Sequence, residues 1–353
     1  MSRASNSQAP GIGRIISFGS RCAWSNLGRN VVFADAALHP LAIFGDTQFP
    51  EDDDASQFDL DIHAIVELAD TGQITVLNHL GIVRTFEAPW SRGPGSVVGP
   101  DLEAARRLDY LEDIERVISL GGRLVTSRPR SRRLGGVLVT EPIAASHRFL
   151  DAETEQESFG FVTALAASST PDGTGWVALG GEGRVRLVEA DHGRLGATRW
   201  EVAVDFLPAA LVAGGTSLWA AGSALGGAGL DDYDWERLGG GGLAQIDLAS
   251  GAVVASAQFG ADLAWGSGGV AVVVADGVPC GVGRRGELHA LAPGERVTTQ
   301  LTPGLAPDPL GIAHAAVVGA QLVIGFNRGG YQLHQVPLPI ISRLVRDRAA
   351  RRV

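Results

Sequence analysis

The chain has 353 residues, 45% of them hydrophobic but only 6% aromatic, with 48 Gly and a formal charge of −10. That length suits one closed β architecture, and the abundance of Gly beside Val, Ala and Leu fits tight turns between strands and excludes an all-α protein. All 29 basic residues are Arg, which rules out Schiff-base chemistry on a lysine, while the negative charge argues against a general binder of nucleic acid or anionic membrane.

In chain order, residues 1–12 contain no apolar core region, so the segment is expected to be disordered and to act neither as a secretion signal nor as an anchor. Residues 13–19, GRIISFG, read as a strand. Seven β-rich units then follow, at about 20–45, 59–90, 114–150, 160–203, 205–258, 260–301 and 310–337. Between the second and third lies a polar insert bearing Gly and Pro, leading through PDLEAARRLDYLED. Its apolar spacing predicts a short helix near 100–113. The fifth unit carries a long insertion, SALGGAGLDDYDWERLGGGG. The last segment, LPIISRLVRDRAARRV at 338–353, places Ile340, Ile341, Leu344 and Val345 on one helical face with most of its Arg residues elsewhere. It is read as a basic amphipathic helix or tail, either docking an acidic partner or packing on its own domain. No run approaches the ~20 apolar residues needed to span a bilayer. Cys22 and Cys280 stand apart in no CxxC pattern and are read as free thiols. The expected location is cytoplasmic.

The repeated signal inside these units is an apolar strand, a short polar break, and a second apolar strand. It reads VLNHLGIVRTF at 76–86, VALGGEGRVRLVE at 177–189 and VIGFNRGGYQLHQV at 323–336. Each copy follows another β-like run that ends in a Gly-rich or Asp-Gly turn, so the unit is a small antiparallel sheet at blade-like spacing. This pattern resembles the broad seven-bladed group of WD40, YVTN and quinoprotein-like propellers, without the paired Gly-His and Trp-Asp dipeptides of WD40 blades. The expected fold is all-β: a seven-bladed β-propeller over 13–337, closed by 13–19 as the outer strand of the last blade.

In such a ring the innermost strands start on one face, and the second-to-third strand loops return to it. Aligning the units places His63, Glu115, Thr163, Asp262 and His314 at the starts of inner strands, and Asn78, His79, Glu182, Asn327 and Arg328 in the matching loops. Arg128, Arg130, Arg132 and Arg133 add a basic sector. Asp231 and Asp232, with Asp234 and Glu236, add an acidic one. Histidine and carboxylate side chains can ligate a metal or move a proton; equally, they can hydrogen-bond neighbouring loops and lock adjacent blades. Asn78 and Asn327 suit turn positions, because Asn tolerates left-handed backbone angles. No P-loop, G-x-S-x-G elbow or H-E-x-x-H pair is present.

These features lead to a non-catalytic binding platform, or a subunit of a larger assembly, with a protein partner and no cofactor. The alternative is a propeller-type enzyme at the channel mouth, a lactonase-like hydrolase or a metal-dependent oxygenase.

Overall fold

A computed structural model describes residues 12–26, 30–45, 62–68, 72–78, 82–91, 96–98, 106–107, 117–120, 123–128, 136–141, 146–149, 162–170, 172–191, 194–225, 240–259, 268–308, 311–330 and 332–351. The first sheet is a meander of β1 (Ile12–Phe18), β2 (Arg21–Asn26), β3 (Asn30–Ala34) and β4 (Pro40–Gly45). The second contains β5 (Ile62–Leu68), β6 (Gln73–Asn78) and β7 (Ile82–Glu87). The chain then crosses back. A 3-10 turn at Pro89–Ser91 leads to β8 (Ser96–Val98), which joins β4 in parallel as a fifth strand of the first sheet. β9 (Arg106–Arg107) then returns to β7.

Four further meanders follow. The third sheet is β10 (Val117–Leu120), β11 (Arg123–Arg128), β12 (Gly136–Glu141) and β13 (Ser146–Phe149), and the fourth is β14 (Ala164–Ser169), β15 (Thr174–Gly181), β16 (Arg184–Asp191) and β17 (Arg194–Ala203). The fifth is β18 (Phe206–Gly214), β19 (Ser217–Ala224), β20 (Gly241–Asp247) and β21 (Val253–Gln258), and the sixth is β22 (Gly269–Ala275), β23 (Val278–Gly283), β24 (Leu288–Ala290) and β25 (Thr299–Thr302). A last sheet has three strands, β26 (Ala313–Val318), β27 (Gln321–Phe326) and β28 (Leu333–Pro337), and runs into α1 (Leu338–Ala350).

Neighbouring inner strands touch in the order β1, β5, β10, β14, β18, β22, β26 and back to β1, which closes the ring. Because each sheet is sandwiched between two others, its second strand is apolar on both faces: β19 is buried along nearly its whole length, as are β23 and β27. Outer strands such as β21 alternate or stay exposed. Short hairpins set the register. Asp276 and Gly277 join β22 to β23 with φ of 49° and 74°, the left-handed pair that matches the twist of a two-residue hairpin.

Three expectations are corrected. The ring is not closed by residues 13–19 pairing with the last unit: β1 pairs antiparallel with β2, from Ile12↔Asn26 to Phe18↔Arg21. Its tight turn at Gly19, φ 67°, fixes that pairing and makes β1 an innermost strand. Among the described residues, the expected seven blades become six sheets of four or five strands and one sheet of three. Lastly, of the segment near 100–113 where a helix is expected, the described residues Arg106 and Arg107 are strand, paired with Val83 and Ile82, and the rest lies outside the described residues.

Among the described residues, packing and a Gly319 N–H to Gly19 carbonyl bond of 2.7 Å, rather than a shared strand, carry the closure between the last sheet and the first. Ile12, Ile15, Cys22, Trp24 and Ala34 bury against Val318 and Val323, and Gly325 leaves the space that Ile12 occupies. On the outside, α1 buries Ile341 and Val345 in the cluster that joins the last two sheets. Arg348 of α1 bonds Glu295 and the Ala290 carbonyl, and Arg346 lies 3.3 Å from Asp276. The C-terminal segment thus packs on its own propeller.

Candidate functional site

The inner strands share one orientation, and their first residues gather at one end of the axis, here called the mouth. Strand registers bring the second-to-third connections to the same end: Ile62 pairs with Asn78, Gly269 with Gly283 and Ala313 with Phe326. The ring encloses a cavity of about 780 Å³, walled by apolar side chains such as Ile15, Ile65, Val66, Ile118 and Val270. Among the described residues, its charged lining residues are Arg14, Glu67 and Arg284, joined by His314.

Arg14 is the third residue of β1, and His314 the second of β26. Arg284 directly follows β23, and its carbonyl accepts the Ala313 N–H at 2.7 Å, level with the start of β26. These three come from consecutive sheets, the sixth, the last and the first, and so form one arc at the mouth. Glu67, sixth in β5, lies deeper along the axis. Across the ring, Thr163 stitches two sheets: its N–H donates to Gly180 at 2.8 Å and its hydroxyl to the Pro208 carbonyl.

Among the residues expected from sequence, Asn327 has its amide committed. Its Oδ1 accepts the Ile312 N–H at 2.7 Å, and its own N–H returns to the Ile312 carbonyl at 3.1 Å. It clasps the start of β26. Arg328 follows it at the mouth, half-buried. Glu182 takes a left-handed φ of 46° in the turn after β15 and pairs with Arg184 at 3.4 Å. Arg184 and Arg186 also grip Glu201, at 3.1 and 2.6 Å. By backbone position His63 sits at a bulge in β5, and Asn78 and Arg128 end β6 and β11, all at the mouth end. His79, Glu115, Asp262, Asp231 and Asp232 lie outside the described residues, as do Arg130, Arg132 and Arg133.

Sequence reasoning missed Arg14, Glu67 and Arg284. It also missed a buried polar cluster behind Arg284, in which Glu287, His289 and Thr298 are 3%, 1% and 5% exposed. Glu287 Oε1 lies 3.6 Å from His289 Nε2, Thr298 Oγ1 lies 3.2 Å from His289 Nδ1, and the Phe259 ring meets the imidazole edge-on. The other Glu287 oxygen accepts the Arg285 N–H at 3.0 Å, while Gly283 N–H donates to the Glu287 carbonyl. The two bonds to Glu287 close the 283–287 turn in one shape and so position Arg284. The available signal was GVGRRGELHA, whose Glu and His alternate on a strand. Among the described residues, no group of three His, Cys, Asp or Glu side chains is placed to hold a metal ion.

No protein-family model matches the chain, and no curated protein sequence does. Solved structures do. The WD40 β-propeller domain of Doa1 superposes with a TM-score of 0.56 at 8% identity, covering 91% of this chain and 92% of that one. The C-terminal WD40 domain of Sif2 gives 0.54 at 8%, covering 94% and 97%. The fold is a WD40-type β-propeller. Chaetomium thermophilum Raptor also matches, with a TM-score of 0.56 at 13% identity over 91% of this chain, which spans only 27% of the length of Raptor.

Proposed function

We propose that the mouth of the propeller is a platform for a protein partner. The observation that carries this reading is that equivalent turns on successive sheets present different chemistry: Glu182 after β15, Leu225 after β19, Arg285 after β23 and Arg328 after β27. Leu225 is 49% exposed there, although it packs beside Gly183. A row that runs acid, apolar, base, base suits one face of an asymmetric macromolecule better than a symmetric ligand. The likeness to WD40 domains over nearly their full length supports it. In sequence, an Arg-rich stretch joins β11 to β12 and an acidic stretch joins β19 to β20, strands whose paired ends lie at this face. They would steer a partner by charge, a contribution that acts on association rate more than on final affinity.

The test is quantitative affinity purification with wild type, Leu225→Asp and Arg285→Glu, followed by association kinetics of a recovered partner at two salt concentrations. Loss of a partner in Leu225→Asp and slowed association in Arg285→Glu are expected. Identical partners and rates for all three proteins would refute the platform.

A further inference from the structure

The cavity along the axis has the volume of a small-molecule site, since such sites span roughly 300–1,000 Å³ and combine apolar walls with a few placed polar groups. Here the polarity is ordered along the axis. Arg284, His314 and Arg14 all line the cavity from three consecutive sheets and make a basic arc at the mouth. Below it the wall is aliphatic, from Ile15, Ile65 and Ile118, with Val270 level with the arc, and Glu67 stands deeper. Ser119 lines the same space, and its hydroxyl has no hydrogen-bond partner among the described residues.

The arc is built. Arg284 is only 6% exposed, on a turn closed by the two bonds to Glu287 and tied to the start of β26. A guanidinium offers five donors in a fork that matches a carboxylate, so such a residue can keep a protein contact and still receive a ligand oxygen. Inner strands held on both sides by neighbouring sheets cannot collapse into the space, which favours a preformed site.

We propose that the channel binds an amphiphilic organic carboxylate, with its anionic head on the Arg284, His314 and Arg14 arc and its apolar body along the aliphatic wall. Glu67 sets the polarity of entry, because it disfavours a carboxylate at depth. The site is independent of the partner platform proposed above, and either can fail without the other.

The experiment is calorimetric titration of the full chain with decanoate below its micelle concentration, beside decanol and decyltrimethylammonium, which carry the same chain with no charge and the opposite charge. Decanoate should bind one-to-one and at least about tenfold more tightly than either control, the size of one charge-assisted hydrogen bond. Arg14→Gln should weaken decanoate about tenfold and leave decanol unchanged, and Arg14→Lys should recover part of the loss. Ala315→Phe, which fills the channel, should abolish binding of both. No saturable decanoate binding would overturn the proposal. So would equal affinity for the three amphiphiles, or decanoate binding unchanged in both Arg14→Gln and Ala315→Phe.

Discussion

Single side chains at the mouth divide into those that hold the ring and those that face its space. Asn327 belongs to the first kind. Removing its amide leaves the half-buried Ile312 N–H without its acceptor; an unsatisfied donor costs about 1–3 kcal/mol when fully buried, and partial access to water puts this one near about 1 kcal/mol. Asn327→Ala should therefore lower stability by that amount in urea unfolding monitored by Trp fluorescence. The two thiols offer a second residue-scale test. Burial pushes Cys22 from 9.0 up to about 12, with the Asp35 charge adding to it. Burial likewise raises Cys280 to about 12, against a small opposing effect of Arg348. An acid whose folded pKa is raised favours the folded state while neutral. That contribution is complete below pH 9 and is lost as pH rises from 9 towards 12. Native protein should leave both thiols unreactive to a disulfide reagent at pH 8, and denaturant should release two equivalents; reaction of the native protein would refute their burial.

Among the elements, α1 is the one whose role the structure changes most. Its apolar stripe was legible at 338–353, yet the same stripe would serve a partner or its own domain. Only the position of its start, directly after β28, and the seat formed by Cys280, Leu288 and Ala290 decide between them. Ile341→Ala should cost about 2–5 kcal/mol, as for other large-to-small changes in a packed core, and thermal unfolding would measure it. Removing residues 338–353 should make Cys280 reactive at pH 8 while Cys22 stays protected. Peptide mapping after alkylation would distinguish the two. The insert leading to the helix expected near 100–113 is the opposite case. Its Arg-rich apolar spacing resembles a helix, but Arg106 and Arg107 meet the free edge of β7, and Trp90 packs against Phe18 and Phe33 while Arg21 lies over its ring.

On the scale of the whole molecule, the ring stands or falls on the contact between the last sheet and the first. A Cβ on Gly325 would meet Ile12 at 2.9–3.1 Å, tighter than side chains pack without moving. Gly325→Val should destabilise by about 1–3 kcal/mol through overpacking, and Ile12→Ala should destabilise by leaving a cavity. Combined, the two changes should cost less than their sum, because the added methyls enter the vacated space. A double-mutant cycle by thermal melting reads this directly; strict additivity would mean that the sheets do not close through this pair.

By itself the sequence determined the repeat, the spacing of the sheets and the strands buried on both faces, because apolar runs broken by Gly turns are local signals. It also placed His314 and Asn327 at a strand start and a turn. Tertiary structure decided which strand is innermost, since GRIISFG is equally good as an inner or an outer strand until the Gly19 turn pairs it with β2. It also decided that Arg14, Arg284 and His314 share one arc. Those residues lie up to three hundred positions apart, and no periodicity records that the last sheet packs against the first. Ring closure does so by burying Ile12 against Gly325, which sets the strand of Arg14 beside the strand of His314.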